Sequence, residues 1–417
     1  LFNLNKLMPS FLSGVRGGIE GKLTADRRLS VLHRALSGLE SNASIEAEVR
    51  KASAHHGITF VINNACNLAC KHCYLQVENL TSRTLSLEES KRLLESALDR
   101  QPDLICLSGK EVFLGNRGSE LLSWLSDART RRGHTTRLGV ITNGTLLHLH
   151  RDAVLSSGLD YLDISVDGVR ADHDSNRGPG AYDRMLPNLK WAAEHLRERL
   201  FVNMTLQQRN FHRFPQAIGE LHEAGVHTIG CSFYHQLPYT DPELELGSED
   251  YDSIFTSLHA IGKIELRQPL TVLTEVDLLS LPAMLAFFRS DWFAPGEVCV
   301  DDHGEFYCEH TLPNGARLQV RFSPLPLLIF KSVRITTEGN YLASEDTVNT
   351  RLYAKHSLGN IRDFDFDVSR LHAHASASPR LKEISDAYFG EALPQLQAGY
   401  AAALRTCGSG ISASQIP

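Results

Sequence analysis

Three cysteines stand close together near residue 70, and they are the part of the sequence best suited to chemistry. Cys66, Cys70 and Cys73 fall within eight residues, at spacing C-x3-C-x2-C. Thiolates in such a group are ligands for zinc or for an iron–sulfur cluster. A structural zinc site takes four ligands, usually as two separated pairs, and the sequence has no second pair. The triplet therefore favours a four-iron cluster with one iron open to another ligand, and zinc or a chance grouping remain as alternatives.

The composition is that of a globular protein with a modest negative charge. The chain has 417 residues, is 42% hydrophobic and carries a formal net charge of -7. This balance predicts no nucleic-acid partner and no membrane partner, since neither a basic patch nor a bilayer-length apolar run is visible. Eight cysteines are too few for a disulfide scaffold, so a reducing, cytoplasmic location is expected.

Apolar, β-branched runs alternate with helical patterns beyond residue 56. The predicted strands are 57–63, 104–107, 138–141, 161–166, 200–206 and 228–234, and helices are predicted to start at a capping box at Ser86 and to cover 118–132, 147–157, 183–199 and 214–224. This alternation predicts an α/β fold with a parallel sheet, either curled into an open barrel or doubly wound. In both forms the ligand site lies at the carboxyl ends of the strands, and Cys66 follows the first strand directly.

The remaining segments suggest further divisions of the chain. The predicted parts are a helical segment at 1–56, the strand–helix core at 57–240, a helical connector at 241–295, a small α+β domain of antiparallel hairpins at 296–405 and a flexible tail at 406–417.

The cysteine motif resembles the signature of the radical S-adenosylmethionine (SAM) superfamily, CxxxCxΦC, with His72 at the usually aromatic position Φ. The resemblance implies a partial (β/α)6 TIM-like barrel that holds one [4Fe-4S] cluster, whose open iron binds the amino and carboxylate groups of SAM. It also implies that an electron, from a flavodoxin- or ferredoxin-type donor, cleaves SAM to methionine and a 5′-deoxyadenosyl radical.

Polar motifs at the ends of the later strands carry the same resemblance. SGKE at 108–111 stands where the family has GGE, TNG is present at 142–144, and SVDG at 165–168 followed by HD and RG within 173–178 resembles the SPASM-type branch. In that branch the serine and the arginine contact the ribose and carboxylate of SAM. The residues expected to bind SAM are His72, Ser108, Gly109, Lys110, Glu111, Thr142, Asn143, Ser165, Asp167, Arg177 and Asn203.

The C-terminal third resembles a SPASM or twitch domain that lacks its cysteines. Residues 334–342 and 357–361 resemble the hairpin and the LGNI segment of these domains, which usually bind auxiliary iron–sulfur clusters. The cysteine expected after the hairpin is Ala343 here, and beyond residue 240 the chain has only Cys299, Cys308 and Cys407. A degenerate domain without an auxiliary cluster is expected.

Four further residues are candidates for contact with a substrate. Cys299 and Cys308 would lie opposite each other on a hairpin that turns at residues 303–304, and one of them could donate a hydrogen atom to a substrate radical. Two buried strand residues, a partial cluster or a labile disulfide are the alternatives. Tyr234 and His235 follow the sixth strand, where substrate contacts are expected.

The resemblance leaves three functions open. The first is hydrogen abstraction from an unactivated C–H bond of an amino-acid-derived or other small polar metabolite. The second is a maturase that cross-links, epimerises or dehydrogenates a ribosomally made peptide or protein. Residues 1–56 look too short and too helical for a leader-binding module, which favours a small polar metabolite, or a peptide or protein bound without such a module. The third is a non-catalytic iron–sulfur scaffold or electron carrier.

Overall fold

A single open β-sheet runs through the structure, a computed structural model that describes residues 57–73, 84–234, 241–276, 280–292, 298–300, 306–322, 333–342 and 357–380. Thirteen strands of these residues pair in the order β13-β12-β11-β1-β2-β3-β4-β5-β6-β7-β10-β9-β8. The central strands are β1 Ile58–Val61, β2 Leu104–Ser108, β3 Arg137–Thr142, β4 Tyr161–Ser165, β5 Leu200–Leu206, β6 Thr228–Phe233 and β7 Thr271–Val276.

Strands β1 to β7 are parallel to their neighbours, as the alternating pattern predicts. The helices of the described residues are α1 Leu87–Asp99, α2 Arg117–Arg132, α3 Arg151–Ser156, α4 Arg170–Arg177, α5 Ala181–Leu196, α6 Phe214–Glu223, α7 Ser248–Ser257, α8 Leu281–Arg289 and α9 Val368–Ala377. The predicted capping box of α1 is present, with Ser86 and Glu89 bonded reciprocally. The sequence does not predict α4, which lies within the HD and RG motifs.

The two faces of the sheet differ in chemistry, as β5 illustrates. Its residues Leu200, Val202, Met204 and Leu206 join one large hydrophobic cluster together with apolar residues of α1, α2, α5 and α6. The alternating residues 201, 203 and 205 are half-buried and include Asn203 and Thr205. A doubly wound sheet needs an apolar surface on both faces, so the sheet is the curled, open form. We call the face of Asn203 the inner face and the helix-covered face the outer face.

The prediction of a helical connector at 241–295 is partly wrong. It contains α7 and α8, but Thr271–Val276 forms β7, which continues the parallel sheet beyond β6. A short apolar run such as VLTEV fits a helix turn or a strand equally well. Pairing with β6 decides it.

The C-terminal strands extend both edges of the sheet. On one edge β10 Arg317–Phe322 runs parallel to β7 and is followed outward by β9 Phe306–Thr311 and β8 Val298–Val300. On the other edge β11 Val333–Ile335 runs parallel to β1 and is followed by β12 Asn340–Leu342 and β13 Ser357–Asn360. The two predicted hairpins, β8–β9 and β11–β12, are confirmed, whereas β10 is not predicted.

Several predictions concern residues outside the described ranges. The helical segment at 1–56, the tail at 406–417 and Ala343 are among them.

None of the described helices combines the length and the apolar character needed to span a membrane.

Candidate functional site

The three cysteines lie on the loop that follows β1, and all three are half-buried. The backbone N–H of Leu68 donates to Cys66 Sγ at 3.3 Å, and the side-chain amide of Asn143 approaches the same sulfur at 3.7 Å. Burial raises the pKa of Cys66, and it raises the pKa of Cys70 to about 12. A bound metal reverses this effect because it binds the thiolate form directly.

The surroundings of the thiols can be compared with those of the predicted cluster. Among the residues that the structure describes, no three His, Cys, Asp or Glu side chains converge on one metal position. A cubane takes each cysteine on a different iron, so its ligands stay apart. Hydrogen bonds from N–H groups to the sulfurs, such as that from Leu68, are the usual surroundings of such a cluster. The N–H donor to Cys66 therefore fits the predicted iron–sulfur site.

Glu111 ties the ends of three strands together. Its carboxylate accepts hydrogen bonds from Thr142 Oγ1 at 2.6 Å, from the backbone N–H of Asn143 at 2.8 Å and from that of Phe113 at 3.0 Å. Its own backbone N–H donates to the carbonyl of Ala65 in the cysteine loop. Burial raises the pKa of this carboxyl, and the hydrogen bonds offset part of that rise. Glu111 therefore fixes the position of the TNG segment relative to the cysteines.

We expect Glu111→Gln to lower the free energy of unfolding by about 2–3 kcal/mol, because the amide nitrogen cannot accept the N–H of Asn143 and leaves a buried donor unsatisfied. Glu120→Gln, on an exposed position of α2, is the matched control and should change it by less than about 0.5 kcal/mol. Urea unfolding monitored by circular dichroism measures both. Equal stability of the two variants would contradict the structural role of Glu111.

The SGKE turn brings the chain close to the start of the cysteine loop. Gly109 has φ of +156°, and a Cβ there would lie 3.0 Å from Asn63 Oδ1 and 3.1 Å from the Asn63 carbonyl oxygen. The carbonyl of Ser108, which is buried, accepts the N–H of Ile62 at 2.8 Å. Lys110 is half-buried at the turn. A glycine is therefore required at position 109, whereas Ser108 stands where the family motif has its first glycine.

A buried ion pair supports the cysteine loop from α4. Arg177 donates to both oxygens of Asp167, at 2.6 and 3.1 Å, and both side chains are almost fully buried. Asn176 donates to the same carboxylate at 2.6 Å and to Nδ1 of His72 at 2.5 Å. The carbonyl of Asn176 accepts the N–H of Lys71. Residues Asp167, Arg177, Asn176 and His72, which we call the Asp167 network, hold the loop through direct bonds.

The charges in the Asp167 network are strongly coupled. Burial alone would raise the pKa of Asp167, but the Arg177 guanidinium holds it well below its usual range. The pKa of His72 is lowered by burial, so this imidazole is neutral near pH 7. Arg177 also lies close enough to Cys70 to lower the pKa of that thiol in part. Asp167 raises the pKa of the same thiol, so the network places a paired positive and negative charge beside the cysteines.

Two asparagines of this site are not among the predicted residues. Asn67 accepts the side-chain amide of Asn143 at 3.0 Å and donates to Thr145 Oγ1 at 2.8 Å. Asn176 belongs to the Asp167 network. A signal for each was present in the sequence, because Asn67 lies between two of the cysteines and Asn176 directly precedes Arg177.

The cysteine loop is also held from the other end of the chain. Asn64 donates to Glu338 Oε1 at 2.8 Å, and the hydroxyl of Thr337 donates to the carbonyl of Ile62 at 3.3 Å. Both partners lie in the turn between β11 and β12. The hairpin that resembles a SPASM segment therefore contacts the site directly.

The remaining predicted SAM residues lie next to each other on the inner face. Ser165 and Asn203 are register partners on β4 and β5, and both are half-buried. Thr205, one inner-face position further along β5, brings its backbone N–H within 3.5 Å of Asp167. The structure thus joins the carboxyl ends of β1 to β5 into one polar site.

The predicted substrate residues after β6 are only partly described. Tyr234 is buried, and its hydroxyl donates to the backbone carbonyl of Asp241 at 2.8 Å. That bond occupies the phenol hydroxyl. His235 lies outside the described residues.

The predicted pairing of the two C-terminal cysteines is wrong by one residue. Cys308 pairs with Val298, and Cys299 pairs with Tyr307, so the cysteines are not cross-strand partners. Cys308 is fully buried in the hydrophobic cluster together with its partner on β10, Val320. This position lies on the outer face, which disfavours hydrogen-atom transfer by Cys308.

Comparison with known proteins agrees with the geometry of the site. Residues 60–221 match the Radical SAM superfamily. The chain is 30% identical to Fe-coproporphyrin III synthase of Methanosarcina barkeri over 196 residues, 46% of this chain and 47% of that protein. It is 26% identical to the antilisterial bacteriocin subtilosin biosynthesis protein AlbA of Bacillus subtilis over 169 residues, 40% of this chain and 35% of AlbA. The matches thus span about half of these relatives or less.

Solved structures share the fold at low sequence identity. SuiB of Streptococcus suis superimposes with a TM-score of 0.53 at 12% identity, covering 81% of this chain and 74% of SuiB. The structure described as anSMEcpe with bound AdoMet has a TM-score of 0.51 at 12% identity, with 78% of each chain covered. The open, mostly parallel sheet is therefore the partial barrel that the sequence predicts.

Proposed function

We propose that this chain is an enzyme that abstracts a hydrogen atom from an unactivated C–H bond. The reason is that it belongs to the radical SAM superfamily through residues 60–221. When bound, a [4Fe-4S] cluster and SAM supply the 5′-deoxyadenosyl radical for this step. Acid–base groups cannot remove such a hydrogen, so the protein contributes binding, orientation and exclusion of water. The observation that carries the proposal is the direct bonding of the cysteine loop to the polar ends of the neighbouring strands.

The described residues divide the work of binding. Cys66, Cys70 and Cys73 would hold the cluster, and Glu111 and Asp167 hold the surrounding segments in place through the hydrogen bonds described above. Ser165 and Asn203 present polar groups on the inner face beside them. These two positions, together with Arg177, are the proposed contacts of the SAM ribose and carboxylate. An iron–sulfur carrier has no use for contacts to SAM.

We further propose an amino-acid-type substrate, either a small metabolite or part of a peptide. The name of the Methanosarcina barkeri relative supports a small molecule, whereas the name of AlbA supports a peptide product. A flavodoxin- or ferredoxin-type protein is the proposed electron donor. The hairpin β11–β12 is proposed to belong to a SPASM-like region without an auxiliary cluster.

Anaerobic reconstitution with iron and sulfide, followed by dithionite and SAM, tests the function. We expect about four irons per chain, as one cubane requires, and formation of 5′-deoxyadenosine from SAM. Intact SAM in the presence of a reduced cluster would reject the enzyme and leave the electron carrier. About eight irons would reject the proposal of a single cluster.

A further inference from the structure

A charged residue interrupts the apolar strand β4. Its neighbours Leu162 and Ile164 belong to the hydrophobic cluster on the outer face, whereas Asp163 is 5% exposed on the inner face. Oδ2 of Asp163 accepts the hydroxyl of Tyr161 at 3.2 Å. Oδ1 is buried and has no hydrogen-bond partner among the described residues. A buried carboxylate with an open acceptor is costly, and nothing in the architecture of the sheet requires one here.

Aromatic rings and glycines surround this carboxylate. Phe201 is the register partner of Asp163 on β5, and its ring centroid lies 5.6 Å from that of Tyr161. Gly139 pairs with Tyr161 on β3, and a Cβ at Gly230 on β6 would lie 2.6 Å from the ring of Phe201. The neighbouring strands thus contribute no side chains at these two positions. The phenol of Tyr161 contacts the carboxylate, and the ring of Phe201 packs against that of Tyr161.

The position of Asp163 connects it to the proposed SAM site. Ser165 follows two residues later on the same face, about 7 Å further along the strand. Burial raises the pKa of Asp163 to about 6, with the hydrogen bond from Tyr161 offsetting part of the rise. The carboxyl is therefore ionised at pH 7.5 to 8, although at a cost.

No cation among the described residues pairs with this charge. Arg177 acts on Asp163 only at longer range, since its guanidinium is bonded to both oxygens of Asp167. Tyr161, the other titratable group in contact, has its pKa raised well above the usual value and stays neutral. Among the described residues, Asp163 therefore has no donor within hydrogen-bond distance of Oδ1 and no ion-pair partner, and the backbone N–H of Asn203 lowers its pKa only in part.

We propose that Asp163 binds a protonated amino group of the substrate on the inner face, with Tyr161 and Phe201 as aromatic walls. An ammonium would donate to the open Oδ1 and form the ion pair that no described residue provides, and aromatic faces attract it further. The inference rests on the proposed function and names the substrate class for that site: a primary amine, carried by a free amino acid or by a lysine in a peptide.

The binding test uses the reconstituted full chain with SAM and without reductant. n-Butylammonium chloride and its neutral analogue 1-butanol are the probes, and thermal melting reports binding. We expect n-butylammonium to raise the melting temperature more than 1-butanol does, and this difference to vanish in Asp163→Asn. Asp127→Asn, on an exposed position of α2, should behave as the wild type. Equal responses to both probes, or an unchanged response in Asp163→Asn, would overturn the proposal.

A second measurement separates a binding role from a structural role. If Asp163 is kept for a ligand, Asp163→Asn should be more stable than the unliganded wild type at pH 8, by up to about 100-fold in the unfolding equilibrium. The advantage should shrink as the pH falls below about 6 and disappear near about pH 3, where Asp163 is neutral in both the folded and the unfolded state. Lower stability of the variant at both pH values would show a structural role and overturn the proposal.

Two further comparisons complete the design. L-Lysine and a tripeptide with blocked ends and a central lysine, melted in the same way, separate a free amino acid from a peptide as the source of the amine. Neither binding nor stability measurements require SAM cleavage. A wild-type protein that binds n-butylammonium but forms no 5′-deoxyadenosine would contradict the proposed function and leave the amine site standing.

Discussion

Replacing Cys70 with alanine is expected to abolish both iron binding and the formation of 5′-deoxyadenosine. In a cubane held by three cysteines on one loop, each cysteine is the only protein ligand of one iron. Removing Cys70 leaves two thiolates, and two thiolates do not retain the cluster. Iron content after anaerobic reconstitution should fall from about four per chain to below about one. Iron analysis, the visible absorption of the cluster and chromatography of the SAM products measure the effect.

Cys231→Ala is the matched control for this experiment. Cys231 lies on β6 and is buried in the hydrophobic cluster of the outer face, so it is a thiol outside the cysteine loop. The variant should keep its iron and its SAM cleavage, at a cost in stability of about 1 kcal/mol. Full iron content in Cys70→Ala, or loss of iron in Cys231→Ala, would contradict the assignment of the cluster to the loop after β1.

Asp167→Asn is expected to lower the free energy of unfolding by about 3–5 kcal/mol, because it leaves the buried guanidinium of Arg177 without a counter-charge. The same change weakens the bonds that connect α4 to His72 and Lys71 in the cysteine loop. Iron content after reconstitution should therefore fall as well. Denaturant unfolding and iron analysis on the same preparation measure both effects.

An exposed ion pair of the same chemistry serves as the control for Asp167. Arg170 and Asp183 form a salt bridge whose side chains are more than half exposed. Asp183→Asn should cost no more than about 1 kcal/mol and should leave the iron content unchanged. If both variants lost the same stability, the Asp167 network would have no special role in holding the loop.

The sequence was sufficient for those features that depend on local pattern. The spacing of Cys66, Cys70 and Cys73 predicts the kind of metal site, because the ligands belong to one short loop. The six predicted core strands are present in the structure, since alternation and β-branched residues are properties of each segment alone. The order of polar motifs after these strands predicts one site, because parallel strands end at the same edge of a sheet.

Strand register was decided by the tertiary structure alone. A shift of one residue moves a side chain to the opposite face, and it separates Cys299 from Cys308 as partners. β7 became a strand because β6 and β10 pair with it, although its sequence fits a helix as well. Tertiary contacts of this kind lie between segments that are far apart in the chain, where no local pattern records them.

The supports of the site show the same division. The sequence marks Asp167 and Arg177 as motif residues, but only the fold shows that they bond to each other and hold His72 through Asn176. The contact between Asn64 and Glu338 joins residues 274 positions apart. Asp163 was visible as a charge within an apolar strand, yet its open oxygen, its aromatic neighbours and its place beside Ser165 exist only once the strands have paired. The sequence by itself therefore determined which chemistry this protein can carry, and the tertiary structure decided which side chains face it, because facing depends on register between distant strands.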